Sequence, residues 1–437
     1  MAKLDFVGSC VVLSAALASA AAGCGGNNSS SGGGGGGGGA GVHDSCAPGV
    51  DVTGCTTIVA PSADDATRLQ TALIEVKSGG TVCLCPGTYN VKKQLSLTVP
   101  SVTVKGTGKN IDDTVLDFAA SSTASGNDTM LVTADGFTIE NMAVKNTPGN
   151  GVVVRQADKP TFRKLHVSWD GGPKATNGAY SVYPVESTNV LIEDCVVEGA
   201  ADAAIYVGQC TGAVVRRNKA HSSVLGIELE NTSDGYVYDN EAYDNTGGLA
   251  VFLLGNLNKK TSNKTLVYNN NIHDNNRMNF GDSQSFVASV PAGTGVIVVG
   301  ADDVEIRDNT ITNNNSGGVL VVNYLLLQML VPGAKPDPMT DPNPERVLVR
   351  NNTFMGNGMM PKDAAALIGV VPLEDVLWDG IVPSGMPATN ELKFCLGAMG
   401  PYPSFRMFAA DHLNDKTKQS IDTTPYQCDL PAIPQMP

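Results

Sequence analysis

The chain has 437 residues, with 43 acidic side chains against 29 basic ones and a formal net charge of -14. No cluster of Lys or Arg stands out along it, which argues against nucleic acid and against general electrostatic attachment to anionic polymers. An acidic chain held in a local pocket, or through a divalent cation, stays open.

The first residues read MAKLDFVGSCVVLSAALASAAAGC. Lys3 precedes an apolar run from Phe6 to Ala22, and Ala21, Ala22 and Gly23 lead to Cys24. So short an apolar stretch, ending in small residues, is the pattern of a signal peptide over 1–23 rather than of a spanning helix. AAGC matches the bacterial lipobox, so Cys24 is expected to carry lipid. Acyl chains contribute about 0.8 kcal/mol per buried methylene, enough in combination to hold a protein at a bilayer. The expected place is the cell envelope, on a bacterial membrane (the outer one), facing periplasm or exterior. Gly25 to Gly41 is almost all Gly, Ser and Asn, so residues 24–42 read as a disordered tether.

From His43 the body begins. Cys46, Cys55, Cys83 and Cys85 crowd its start, and an even set of cysteines in an exported chain suggests disulfides. Their pairing is open from sequence. Cys195 and Cys210 read as buried thiols. ADDATRLQTALIEVKSGG reads as an amphipathic helix capping a solenoid end.

Most of the remaining chain repeats one short module. VLIEDC, AVVRRN, GYVYDN, TLVYNN, VEIRDN and VLVRNN end at Cys195, Asn218, Asn240, Asn270, Asn309 and Asn352, spaced by 23, 22, 30, 39 and 43 residues. A period near 22 with alternating Val and Ile marks a β-solenoid coil, lengthened where loops are inserted. Leucine-rich repeats share the period but need a leucine pattern and a helical stretch in every unit, which this chain lacks. The fold class is therefore all-β: a right-handed parallel β-helix over 43–371, capped by the short N-terminal helix. The asparagine column reads as scaffold, since turn asparagines adopt left-handed backbone and bond one another's amides. The run Val319 to Val331 is too short to span a bilayer and reads as a buried strand with its continuation. Residues 372–437 stop repeating and read as an irregular tail packed on the solenoid, stapled by Cys395 and Cys428. A monomer is expected.

GGTVCLCPGTYNVKKQLSL, followed by VTVKGTG and TVLDF, resembles the opening of exported β-helix proteins of the pectin-lyase-like superfamily. NGAYSVYPVESTNVLIEDC, ADAAIYVGQC, GIELENTSDGYVYDNEAYDNTGGLAVF, PAGTGVIVVGADDVEIRDNTI and YQCDLPAIP resemble one family of bacterial parallel β-helix repeat proteins. That resemblance, from about Gly80 to the C-terminus, implies the fold. Its superfamily relatives include alginate lyases and mannuronan epimerases, but activity transfers poorly between β-helices.

Applying a 22-residue step to the first strand of each coil puts Val182, Ala204, Gly226 and Gly248 in one column. The outward columns then carry Pro184, Tyr206, Glu228 and Ala250 beside Glu186, Gly208, Glu230 and Phe252. Arg155 falls next to Glu186, Asp202 and Gln209 flank from the turns, and Tyr180 and Tyr183 lie nearby. Trp169, in SWDGG, has a ring suited to stacking on a sugar, and the insertion Asn275 to Gly295 is placed to wall a groove. Carboxylates on adjacent coils, about 4.8 Å apart, raise one another's pKa, hold a cation or pair with Arg155.

Three readings compete for this patch. In a uronate-polymer lyase or epimerase, Arg155, Tyr183, Tyr206, Glu228 and Glu230 are the expected catalytic residues, and Glu186, Asp202, Gln209 and Trp169 bind the acidic polysaccharide. Glu186, Glu228 and Glu230 would then surround calcium. In a glycoside hydrolase, Glu228 and Glu230 would be acid and base or nucleophile. In a non-catalytic protein the patch binds sugar or calcium, or stabilises the coils.

Overall fold

The computed structural model describes residues 43–121, 128–330, 337–383 and 390–436. The signal peptide, Cys24 and the tether lie outside them. A middle coil is built from three short strands, as in Ala203–Gly208, Thr211–Arg216 and Lys219–His221. Each strand pairs in parallel with its counterpart one coil on. The first strands of the coils stack as an eleven-stranded sheet from Leu95–Leu97 to Phe405–Met407, and the second and third strands form a nineteen-stranded wrap. Alternation sends Val182, Ile205, Ile227, Leu249, Val296 and Val319 into the interior, where all are fully buried. β-Branched side chains suit so narrow a core because they pack well on a pleated surface.

The turn between second and third strands has a chemical cause. Asn141, Lys164, Asp194, Arg217, Asp239, Asn269, Asp308 and Asn351 all have φ near +55°, a region that Asn and Asp tolerate best among non-glycine residues. The residue after each turns inward, and from Asn218 onward it is asparagine. Asn218 Nδ2 donates to Asn240 Oδ1 at 3.0 Å, and Asn240, Asn270 and Asn309 repeat the bond to the next coil. A second ladder of Asn245, Asn275, Asn314 and Asn357 runs one turn further on. Each of its members follows a member of the first by five residues, a spacing the sequence displays. Together they satisfy the buried backbone at two corners of the solenoid.

The helix Asp65–Glu75 caps the first coil, with Leu69, Ala72 and Leu73 buried on the core. Disulfides Cys46–Cys85 and Cys55–Cys83 staple that end, and Cys395–Cys428 the other; Cys195 and Cys210 are free and buried. Two sequence expectations need correction. The stack runs past 371, because Val376–Trp378 and Phe405–Met407 add in register onto Gly317–Val322. The run does not continue as strand beyond Val322: Asn323 donates its N–H to Asp379 at 2.6 Å and accepts from Leu325 N, starting the helix Tyr324–Leu330.

Candidate functional site

The outward columns of the eleven-stranded sheet differ from the 22-residue alignment at one coil. Tyr180 pairs with Ala203 and Val185 with Gly208, a step of 23, whereas Tyr206 pairs with Glu228 and Gly208 with Glu230, a step of 22. Pro184 therefore stands in an interior column, and Tyr183 shares the outward column of Tyr206 and Glu228. Arg155 pairs with Val185 and shares the column of Gly208 and Glu230. Glu186 falls past the strand end, at φ 52°, where it accepts from Gln156 and Asn258. It does not join Glu228 and Glu230. The sequence held the signal: the second-strand spacing from Cys195 to Asn218 is also 23.

The face is also not a solvent-facing groove. Asp202 is 7% exposed, Tyr206 4%, Glu228 1% and Glu230 8%. The insertion after Asn275 lies over them. Gly281 sits against Ala201 and Val224, and Ser285 Oγ donates to Asp202 Oδ2 at 3.3 Å. Phe280 and Phe286 pack into the apolar cluster around Tyr206 and Ala250. This cover consumes the apolar outward residues that follow Glu228 and Glu230 in their columns, which is why the sheet is apolar on both faces.

Under the cover, Tyr206 donates its hydroxyl to Glu230 Oε1 at 2.8 Å. The bond needs Gly208, because a Cβ there would lie 2.3 Å from the Tyr206 ring. Tyr180, Tyr183 and Tyr206 form a three-ring wall with centroids 4.2–4.9 Å apart. Burial pushes the Asp202 carboxyl up to about 7, aided by the charge of Glu230. Burial likewise raises Glu230 to about 7 against the lowering hydrogen bonds from Tyr206 and Glu228. Glu228 is raised well above the usual carboxylate range, by burial and then by the neighbouring Asp202 and Glu230 carboxylates. Asp202 Oδ1 and Glu228 Oε2 are buried with no partner among the described residues.

At the rim, Arg155 is bound to Asp128 at 3.1 Å and lies over the Tyr183 ring. Asp128 is a neighbour the sequence reading missed. Gln209 is held in a turn by Lys259 N, and Trp169 donates its indole N–H to Thr147 O with its ring against Gly199. Among the described residues, neither is hydrogen-bonded to the carboxyl cluster. With Glu186 elsewhere, the calcium set of Glu186, Glu228 and Glu230 does not form. No group of three or more His, Cys, Asp or Glu among the described residues is arranged to hold a metal ion.

The family described as right handed beta helix region matches residues 127–325. No curated protein matches the sequence. Among solved structures, the A-module of the Azotobacter vinelandii mannuronan C-5 epimerase AlgE4 superposes with a TM-score of 0.50 at 18% identity, over 72% of this chain and 87% of that one. An alginate lyase from Paenibacillus sp. str. FPU-7 gives 0.42 at 15% identity, over 69% and 96%. A polygalacturonase from Erwinia carotovora gives 0.39 at 12%, over 69% and 92%. The chain folds as a right-handed parallel β-helix.

Proposed function

We propose that this is an exported envelope protein, held by lipid on Cys24, that acts on an acidic polysaccharide by proton transfer at C5 of a uronate. The supporting observation is the pair of unpartnered buried oxygens, Asp202 Oδ1 and Glu228 Oε2, beside Tyr206 and Glu230. Buried polar atoms in a scaffold are normally satisfied, so two orphans in one cluster suit a ligand. Protonated Glu228 can donate to the substrate carboxylate and neutralise it. Ionised Glu230, poised near neutrality, takes the C5 proton. In elimination, the C4–O bond breaks, C4 and C5 become doubly bonded, and the leaving oxygen takes a proton from Tyr206. In epimerisation, Tyr206 delivers its hydroxyl proton to C5 from the opposite side, while Glu230 keeps the proton that it took. Substrate entry requires the Ser285 segment to lift from Asp202.

The covering loop favours one other reading, binding of the polymer without turnover. The test incubates the purified full-length chain with polymannuronate, polyguluronate and polygalacturonate, following ultraviolet absorbance of an unsaturated product and binding by calorimetry. Turnover of one polymer supports the proposal; binding without turnover supports the second reading; neither on any polymer ends both.

A further inference from the structure

Sequence alone shows no basic cluster, but the solenoid assembles one. Lys105 and Lys109 belong to the segment Lys-Gly-Thr-Gly-Lys at the end of the strand Thr103–Gly106. Two coils further along the nineteen-stranded wrap stand Arg163 and Lys164. Lys105 pairs with Glu140, and Glu140 with Arg163, so all four cations border one concavity. Its floor is the glycine segment, folded by Asn141, whose Nδ2 donates to both Gly106 O and Gly108 O at 2.9 Å. Those carbonyls are thereby turned to Asn141. The shape depends on glycine: a Cβ on Gly106 would lie 2.1 Å from Asn141 O, and one on Gly108 2.3 Å from Asp113 Cβ.

The concavity contains two carboxylates, Asp51 and Glu140. Glu140 is engaged by Arg163, which also holds Glu193 at 2.6 Å. Asp51 accepts from Thr53 N and lies close enough to Lys105 to feel its charge. Among the described residues, no carboxylate lies within ion-pair distance of Lys105, Lys109 or Lys164, in a chain whose net charge is -14. Like charges gathered over a polar, preformed floor leave local positive potential that an anion relieves. The residues sit on a different sheet from the carboxyl cluster.

We infer that this pocket is a second binding site, which docks the carboxylate or sulfate groups of an anionic polysaccharide. It is independent of turnover: it positions a polymer on the N-terminal coils, whatever chemistry occurs beneath the Ser285 segment. Lysine ammonium groups serve as point charges that tolerate an oxyanion in several poses, so the site grips charge rather than one sugar.

The test measures binding of oligogalacturonate and of a sulfated oligosaccharide to the full-length chain at several salt concentrations, for wild type, Lys105→Gln/Lys164→Gln and Glu230→Gln. The inference expects wild-type affinity to fall steeply with salt. It expects the lysine double variant to bind at least tenfold more weakly at low salt, with a shallower salt slope and an unchanged thermal midpoint. Glu230→Gln should leave this salt-dependent binding in place even if all turnover is lost, which separates the two sites. A lysine variant that binds like wild type overturns the inference, as does binding that salt does not touch. Should that variant unfold, the exposed Lys109→Gln/Lys164→Gln pair repeats the test with the same expectations. Binding to phosphatidylglycerol vesicles with none to either oligosaccharide also overturns it, in favour of a membrane surface.

Discussion

Tyr206 and Glu230 meet diagonally across two adjacent coils, hydroxyl to carboxylate at 2.8 Å, over a glycine that leaves the ring its path. Gly208→Ala places a methyl group inside the Tyr206 ring. The expected result is a loss of about 1–3 kcal/mol, the usual cost of overpacking, and rupture of the bond. Urea unfolding with tyrosine fluorescence as the readout checks it; an unchanged midpoint would mean that the ring has another place to go.

Asp202 and Glu230 have folded pKa values raised to about 7, against about 4 in an unfolded chain. The folded state then holds more protons than the unfolded state between those values. Stability from this pair is fully present below about pH 4 and is lost as pH rises to about 7. Asp379, also raised to about 7 by burial, adds to the trend. Thermal midpoints should fall from pH 5 to pH 8, and Asp202→Asn/Glu230→Gln should flatten that decline. An identical slope in the variant would remove the cluster from the account.

Glu193 behaves in the opposite sense. Burial works to raise its pKa, but hydrogen bonds from Arg163, Arg216 and Arg217 outweigh it and hold the carboxyl at about 2. Its stabilisation is present above about pH 4 and lost as pH falls to about 2. Glu193→Gln should cost about 1–3 kcal/mol near neutrality, since the arginines stay partly solvated. The deficit should vanish in acid denaturation curves near pH 2. A constant deficit would assign the effect to packing.

Much of this was legible in the chain, and the failures have two causes. The coil period, the asparagine column, the capping helix and the Cys395–Cys428 staple follow from local pattern, because each coil contacts only its neighbours. Tyr206, Glu228 and Glu230 were placed correctly relative to one another, since their step is 22. Glu186 and Pro184 were misplaced because the preceding coil has 23 residues, and a one-residue change moves every side chain to the other side. Burial of the cluster was not legible at all. It depends on where the insertion after Asn275 folds, and Ser285 and Asp202 are 83 residues apart. The basic pocket escaped notice for the same reason, as Lys105 and Lys164 approach only through coil stacking.

The lipid anchor is testable apart from any activity. The account expects Cys24→Ala to release the protein from the membrane fraction, and mass spectrometry of the extracted wild type to find acylated Cys24. Unchanged membrane retention of the variant would contradict it.

The most direct test of the central claim is exchange of the C5 proton of a polyuronate in deuterated water, followed by NMR with full-length wild type and Glu230→Gln. The account predicts exchange by wild type on at least one polymer. It predicts a loss of about 100-fold in Glu230→Gln, the scale of a removed general acid–base, with the protein still folded. Exchange at equal rates in both, or none with any polyuronate by correctly folded wild type, would contradict it.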